Sequence, residues 1–131
     1  MRGPIDPDHD VLVRVHEPLS VLDALDVDLS THSWPLPRAL ARIAEAGSGV
    51  VVLLNCGESS DGLLARFTAL TQSGRDAAVE QRAAHMDLRT YGVGAQILRD
   101  LNVVKMRLLA RPRKMPSMAG FGLHTTGFLE G

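Results

Sequence analysis

A chain of 131 residues fits one domain, which can bury roughly two-thirds of the surface its unfolded form exposes around a single core. Apolar residues at 45% and charged ones at 22% exclude wholesale disorder, and a net charge of -1 excludes a global field drawing in nucleic acid or an anionic membrane, so any anion site must be local. The lone cysteine, Cys56, excludes an intrachain disulfide, and the longest apolar run, residues 50–54, is far short of the roughly 20 that a membrane-spanning helix needs; a cytoplasmic protein is expected.

Residues 1–10 have no apolar core and read as a flexible lead-in to a domain spanning 11–131. Val11-Leu-Val-Arg-Val15 reads as a strand, because β-branched residues dominate it and His16-Glu-Pro18 stops any helix. Residues 19–33 mix leucines, valines and aspartates at no clean period and read as a loop with at most one short turn of helix. From Pro37 the pattern sharpens: Leu36, Ala39, Leu40, Ile43 and Ala44 share one helical face, and Gly47 stands where a left-handed terminal residue belongs.

Val50-Val-Val-Leu-Leu54 then reads as a strand buried on both faces of a parallel sheet. After the loop Asn55-Cys-Gly-Glu-Ser-Ser60 a second helix begins near Asp61, capped by Ser60 or Asp61, with Leu63, Leu64, Phe67 and Leu70 on one face. Residues 73–86 lack a strong apolar stripe and form either a solvated helix or a mobile excursion. Thr90 offers an N-cap to a third helix carrying Val93, Ile97, Leu98 and Leu101, Asn102 is its left-handed terminator, and residues 103–109 form the next strand. Strands alternating with helices predict an α/β fold, a three-layer α/β/α sandwich.

In such sheets ligands gather at the carboxyl ends of the strands, here among residues 55–60, 87–91 and 111–114. Arg111, Arg113 and Lys114 either grip a phosphate through guanidinium forks and an ammonium, or make a solvated basic turn before Pro116; spacing alone leaves the two evenly balanced. Asp87, two residues before Arg89, either acts as a general base or interacts with the dipole of the following helix, and taken alone the dipole reading is favoured. The histidines at 9, 16, 32, 85 and 124 show no metal-binding spacing, and Cys56 has no flanking cation to activate its thiol. Nucleic-acid binding through Arg107, Arg111, Arg113 and Lys114 is disfavoured, since no aromatic residues interleave with the basic ones.

Asp87-Leu-Arg-Thr-Tyr-Gly-Val-Gly-Ala-Gln-Ile-Leu-Arg-Asp-Leu101, with Met106-Arg-Leu-Leu109 and Pro112-Arg-Lys114, resembles the GTP cyclohydrolase II family almost residue for residue. Leu12-Val-Arg-Val-His16 and residues 39–54 resemble the family's first strand and the helix and strand after it, so the likeness covers roughly residues 11–124. The resemblance implies the family's sandwich, its zinc and magnesium chemistry, and a riboflavin-biosynthesis setting. It also implies roles: Asp87 matches the proposed general base, Arg89 the proposed nucleophile toward the nucleotide α-phosphate, and Arg111, Arg113 and Lys114 lie where the phosphates bind, although the segment before Pro112 is one residue shorter than the family's.

Three family features are missing from register. The zinc cysteines fall on Leu19, Ser30 and His32, and the spacing from His16 to Leu40 runs without a gap. The family's Arg-Gln-Glu-Gly-Arg-Gly loop falls on residues 55–60, and the tyrosine of the next helix falls on Thr68. No resident cofactor is therefore expected, because zinc is what would bring the pKa of the attacking water to about 7. In many bacteria this domain is fused behind 3,4-dihydroxy-2-butanone 4-phosphate synthase, so the resemblance implies a non-catalytic module that stabilises or regulates that synthase. The alternative is an active or altered GTP cyclohydrolase II, which opens the guanine ring with release of formate and pyrophosphate. The first residues align with the second half of the family's amino-terminal sheet, which implies an exposed sheet edge, a homo-oligomer, and a retained nucleotide or phosphate ligand as the open possibility.

Overall fold

A computed structural model describes residues 1–16, 34–54, 59–71, 88–112 and 118–131. In chain order these hold strand β1 (Val11–His16), helix α1 (Leu36–Ala46), strand β2 (Val50–Leu53), helix α2 (Ser60–Thr71), helix α3 (Leu88–Asp100), strand β3 (Lys105–Leu109), a short 3₁₀ turn (Ala119–Phe121) and strand β4 (His124–Leu129). The strands form one four-stranded sheet in the order β2-β1-β3-β4, and every neighbouring pair is parallel. Val13 sits opposite Val50 and His16 opposite Leu53 on one side of β1, while Val11 and Val13 sit opposite Met106 and Leu108 on the other.

Parallel strands cannot be joined by tight turns, so the chain must travel back over the faces of the sheet between them. Both faces are accordingly apolar. Alternate residues divide between them. Val11 and Val13, Val50 and Val52, and Met106 and Leu108 pack with Ala95 and Leu98 of α3 and with Val103, Met118 and Leu123. Leu109 packs with Trp34 and with Ala39 and Ile43 of α1, joined by Leu12, Val51 and Leu129. The result is the three-layer α/β/α sandwich that the alternation of elements predicts, with α3 on one face and α1 on the other.

Helix α1 matches its expected terminator: Gly47 is left-handed at φ +80 and donates its N–H to the carbonyls of Ile43 and Ala44. Its start needs no side-chain cap, because Pro37 lies in the first turn, where a missing N–H costs nothing. Leu36, Ala39 and Ile43 are buried as expected, but Leu40 is half exposed and Ala44 exposed. Asn102 is left-handed at φ +60, as expected, and closes α3.

Other expectations are corrected. Helix α2 is capped one residue earlier than read, by the Ser59 hydroxyl, which accepts the Gly62 N–H at 3.1 Å. Leu64, assigned to its apolar face, is exposed. Helix α3 begins at Leu88, so Thr90 lies inside its first turn and is not its N-cap. Its inward face is Gly94, Ala95 and Leu98, while Val93 and Ile97 are exposed: small residues let the helix lie close to the sheet and displace their larger neighbours to the flank. Strand β2 stands at an edge of the order, and Leu53 is 41% exposed rather than buried on both faces. Pairing in β3 begins at Lys105, not 103, although Val103 is buried just ahead of it. The stretches 19–33 and 73–86, read as loop and as helix or excursion, lie outside the described residues.

Residues 1–10, read as a lead-in, make defined contacts. Arg2 and Gly49 form an antiparallel bridge with N–H to carbonyl distances of 2.9 and 3.0 Å, and Ile5 packs against the α3-side core. The Asp8 N–H bonds the Asp6 carboxylate at 2.9 Å, and this, with the His9 ring 2.7 Å away, holds the Asp6 carboxyl below the usual carboxylate range.

Gly49 shows how tightly α1 meets the sheet. A Cβ placed there would lie 2.9 Å from both γ-carbons of Ile43 and 2.9 Å from the Leu12 carbonyl oxygen, and that carbonyl is backbone and cannot swing aside. Gly49→Ala is expected to lower stability by about 1–3 kcal/mol through overpacking, read as a lower urea midpoint. A midpoint equal to that of the parent chain would show that the α1 contact yields freely.

Candidate functional site

Because all four strands run the same way, their carboxyl ends at His16, Leu53, Leu109 and Leu129 lie along one edge of the sheet. The helix starts gather there too. Helix α3 delivers the chain to the amino end of β3, so it runs against the strands, and Gly94 at its middle already stands beside Leu54, where a Cβ would lie 3.7 Å from Leu54 Cδ1. Its first turn, which carries position 89, thus projects past the strand ends.

Two buried polar residues of β1 face the α1 side of the sheet, at alternate positions with Leu12. His16 is fully buried, and its carbonyl accepts the Leu54 N–H at 3.0 Å, extending the β1–β2 pairing by one residue. Arg14 is 7% exposed, and its Nη1 donates to the Leu109 carbonyl at 2.9 Å. A hydrogen bond from a charged donor contributes about 1.5–3 kcal/mol, and here it grips the last residue of β3. On the next strand the Leu129 carbonyl accepts two donors, the Trp34 indole N–H at 2.7 Å and the Ala110 N–H at 3.1 Å. The Arg38 guanidinium stands 5.2 Å from the centroid of the Trp34 ring, within cation–π range. Through these bonds the ends of β1, β3 and β4 and the start of α1 are tied together.

This network fixes the point from which residues 110–112 leave β3. Arg111 lies two residues beyond the strand and is exposed, so its guanidinium is open to an anion arriving at this edge. Arg113, Lys114 and Asp87 lie outside the described residues, as do Leu19, Ser30 and His32. Position 89 falls in the first turn of α3. The backbone thus brings positions 89 and 111 to the same edge of the sheet. Among the described residues, no three His, Cys, Asp or Glu side chains lie together as a metal-ligating group, and no helix is long and apolar enough to cross a membrane.

Arg14 and Trp34 carry no motif and go unmarked by spacing. Each nonetheless leaves a trace: a charge in the middle of Val-Leu-Val-Arg-Val-His needs a buried acceptor, and a tryptophan just ahead of a helix start needs a partner for its N–H.

The profile of the family described as GTP cyclohydrolase II matches residues 1–130, further at both ends than the motifs alone indicate. A protein of Neisseria meningitidis serogroup A named 3,4-dihydroxy-2-butanone 4-phosphate synthase is 42% identical over 130 residues, covering 99% of this chain and 33% of its own. A Pseudomonas aeruginosa protein of the same name is 38% identical over 97% of this chain and 33% of its own. The riboflavin biosynthesis protein RibBA of Cytophaga hutchinsonii is 37% identical over 96% of this chain and 32% of its own. The chain spans about a third of the length of these curated relatives.

Trp34→Phe tests the network. It keeps an aromatic ring beneath Arg38 and leaves the Leu129 carbonyl with the Ala110 N–H alone. The expected loss is about 1 kcal/mol of unfolding free energy. It is read by circular dichroism in urea, since Trp34 is the only tryptophan in the chain. An unchanged midpoint would mean that the indole bond contributes nothing net.

Proposed function

The chain belongs to the GTP cyclohydrolase II family, and on that premise we propose that it is a non-catalytic copy of the family's domain, acting in the cytoplasm to stabilise or regulate a 3,4-dihydroxy-2-butanone 4-phosphate synthase in riboflavin biosynthesis. One observation carries the reading: a chain of 131 residues has a single cysteine, whereas the family's zinc site takes three. At the matching positions Leu19 offers no donor atom, Ser30 a neutral hydroxyl and His32 one imidazole. Zinc in a hydrolytic site needs three protein ligands, of which thiolate and imidazole are the strong ones, so this set does not fit it. No hydrolytic step is derived through the metal.

The remaining residues suit binding rather than turnover. Arg111, Arg113 and Lys114 supply fork-shaped and point cations for a phosphate, and Asp87 and Arg89 are kept at family positions as vestiges of the reaction. The synthase reading draws on the relatives that bear that name and are about three times as long as this chain. Self-association as a homo-oligomer is part of the same proposal. A second reading, an active or altered GTP cyclohydrolase II, is favoured by the retention of Asp87 and Arg89 alone.

Metal analysis and a GTP assay separate the two readings. The purified chain is expected to hold well under one equivalent of zinc and to release no formate from GTP; stoichiometric zinc together with formate release overturns the proposal. Synthase carrying the domain is expected to melt higher, or assemble further, than synthase lacking it. Identical rate, melting and assembly would remove the regulatory reading. For the phosphate ligand, pyrophosphate is expected to stabilise the chain progressively, by about 2.7 kcal/mol at a hundred times the dissociation constant, with Arg111→Ala weakening the effect. A flat titration means that the basic segment is only a solvated turn.

A further inference from the structure

We draw no further inference here: the strongest candidate, the groove between α1 and the end of β4 lined by Trp34, Arg38, Arg42, Glu45 and Glu130, offers charges of both signs over an indole whose N–H is already bound to Leu129, and nothing in the structure shows what would occupy it.

Discussion

The parallel direction of the four strands is the constraint from which the other features of this domain descend. A parallel pair needs a crossover, a crossover covers a face, and a covered face must be apolar, so the sheet carries two cores rather than one. β1 and β3 share this load, because β1 lies between β2 and β3 and β3 between β1 and β4. Val13 is the centre of that arrangement: it is fully buried and faces Val50 on one side and Leu108 on the other. The same directionality lines up the carboxyl ends and leaves the amino ends to the bridge between Arg2 and Gly49.

At the carboxyl edge the balance of forces changes. Burying the Arg14 guanidinium costs hydration, and its bond to the Leu109 carbonyl offsets part of that cost. What it supplies is position. A carbonyl at the last residue of β3 is held by a charged donor from the central strand, and the next residue, Ala110, is held by β4. The basic segment that follows therefore leaves the sheet from a fixed point. A bulge in β4 adds to this: Met106 pairs with Thr125 and Arg107 with Gly127, so Thr126 is the extra residue, and its hydroxyl donates to the Met106 carbonyl at 3.2 Å. The outermost strand keeps its register despite the insertion.

How much of this could be read from residues alone depended on how each element announces itself. β1, β2 and α1 were legible because branched apolar runs and a 3–4–7 spacing dominate them, and Gly47 and Asn102 because left-handed termini select those residue types. β4 was not read as a strand at all. His-Thr-Thr-Gly-Phe-Leu has a glycine, a bulge and three exposed leading residues, and an outermost strand needs neither an apolar run nor strict alternation. The face of α3 is legible in Leu98 and Leu101, which pack on the core, but not in its other half: hydrophobicity selects Val93 and Ile97, whereas close packing selects Gly94 and Ala95. Of the site, the edge of the sheet and the place of Arg111 upon it were legible, while Arg14 and Trp34 were not, because their roles depend on carbonyls 95 residues away in sequence.

That long separation bears on what holds the scaffold together. The two cores draw on strands, helices and the residues flanking them, and the edge network draws on an arginine, an indole and three backbone groups. None of these is a thiolate, and none depends on a bound cation for its geometry. In small zinc domains the metal supplies the folding energy, and its ligands cannot be exchanged without unfolding. Here the layers are held by apolar burial, each fully buried aliphatic side chain contributing about 1.5–3 kcal/mol. Among the described residues, both cores are made of apolar side chains. On the proposed reading, apolar layers of this kind are what would keep the domain folded without a hydrolytic metal.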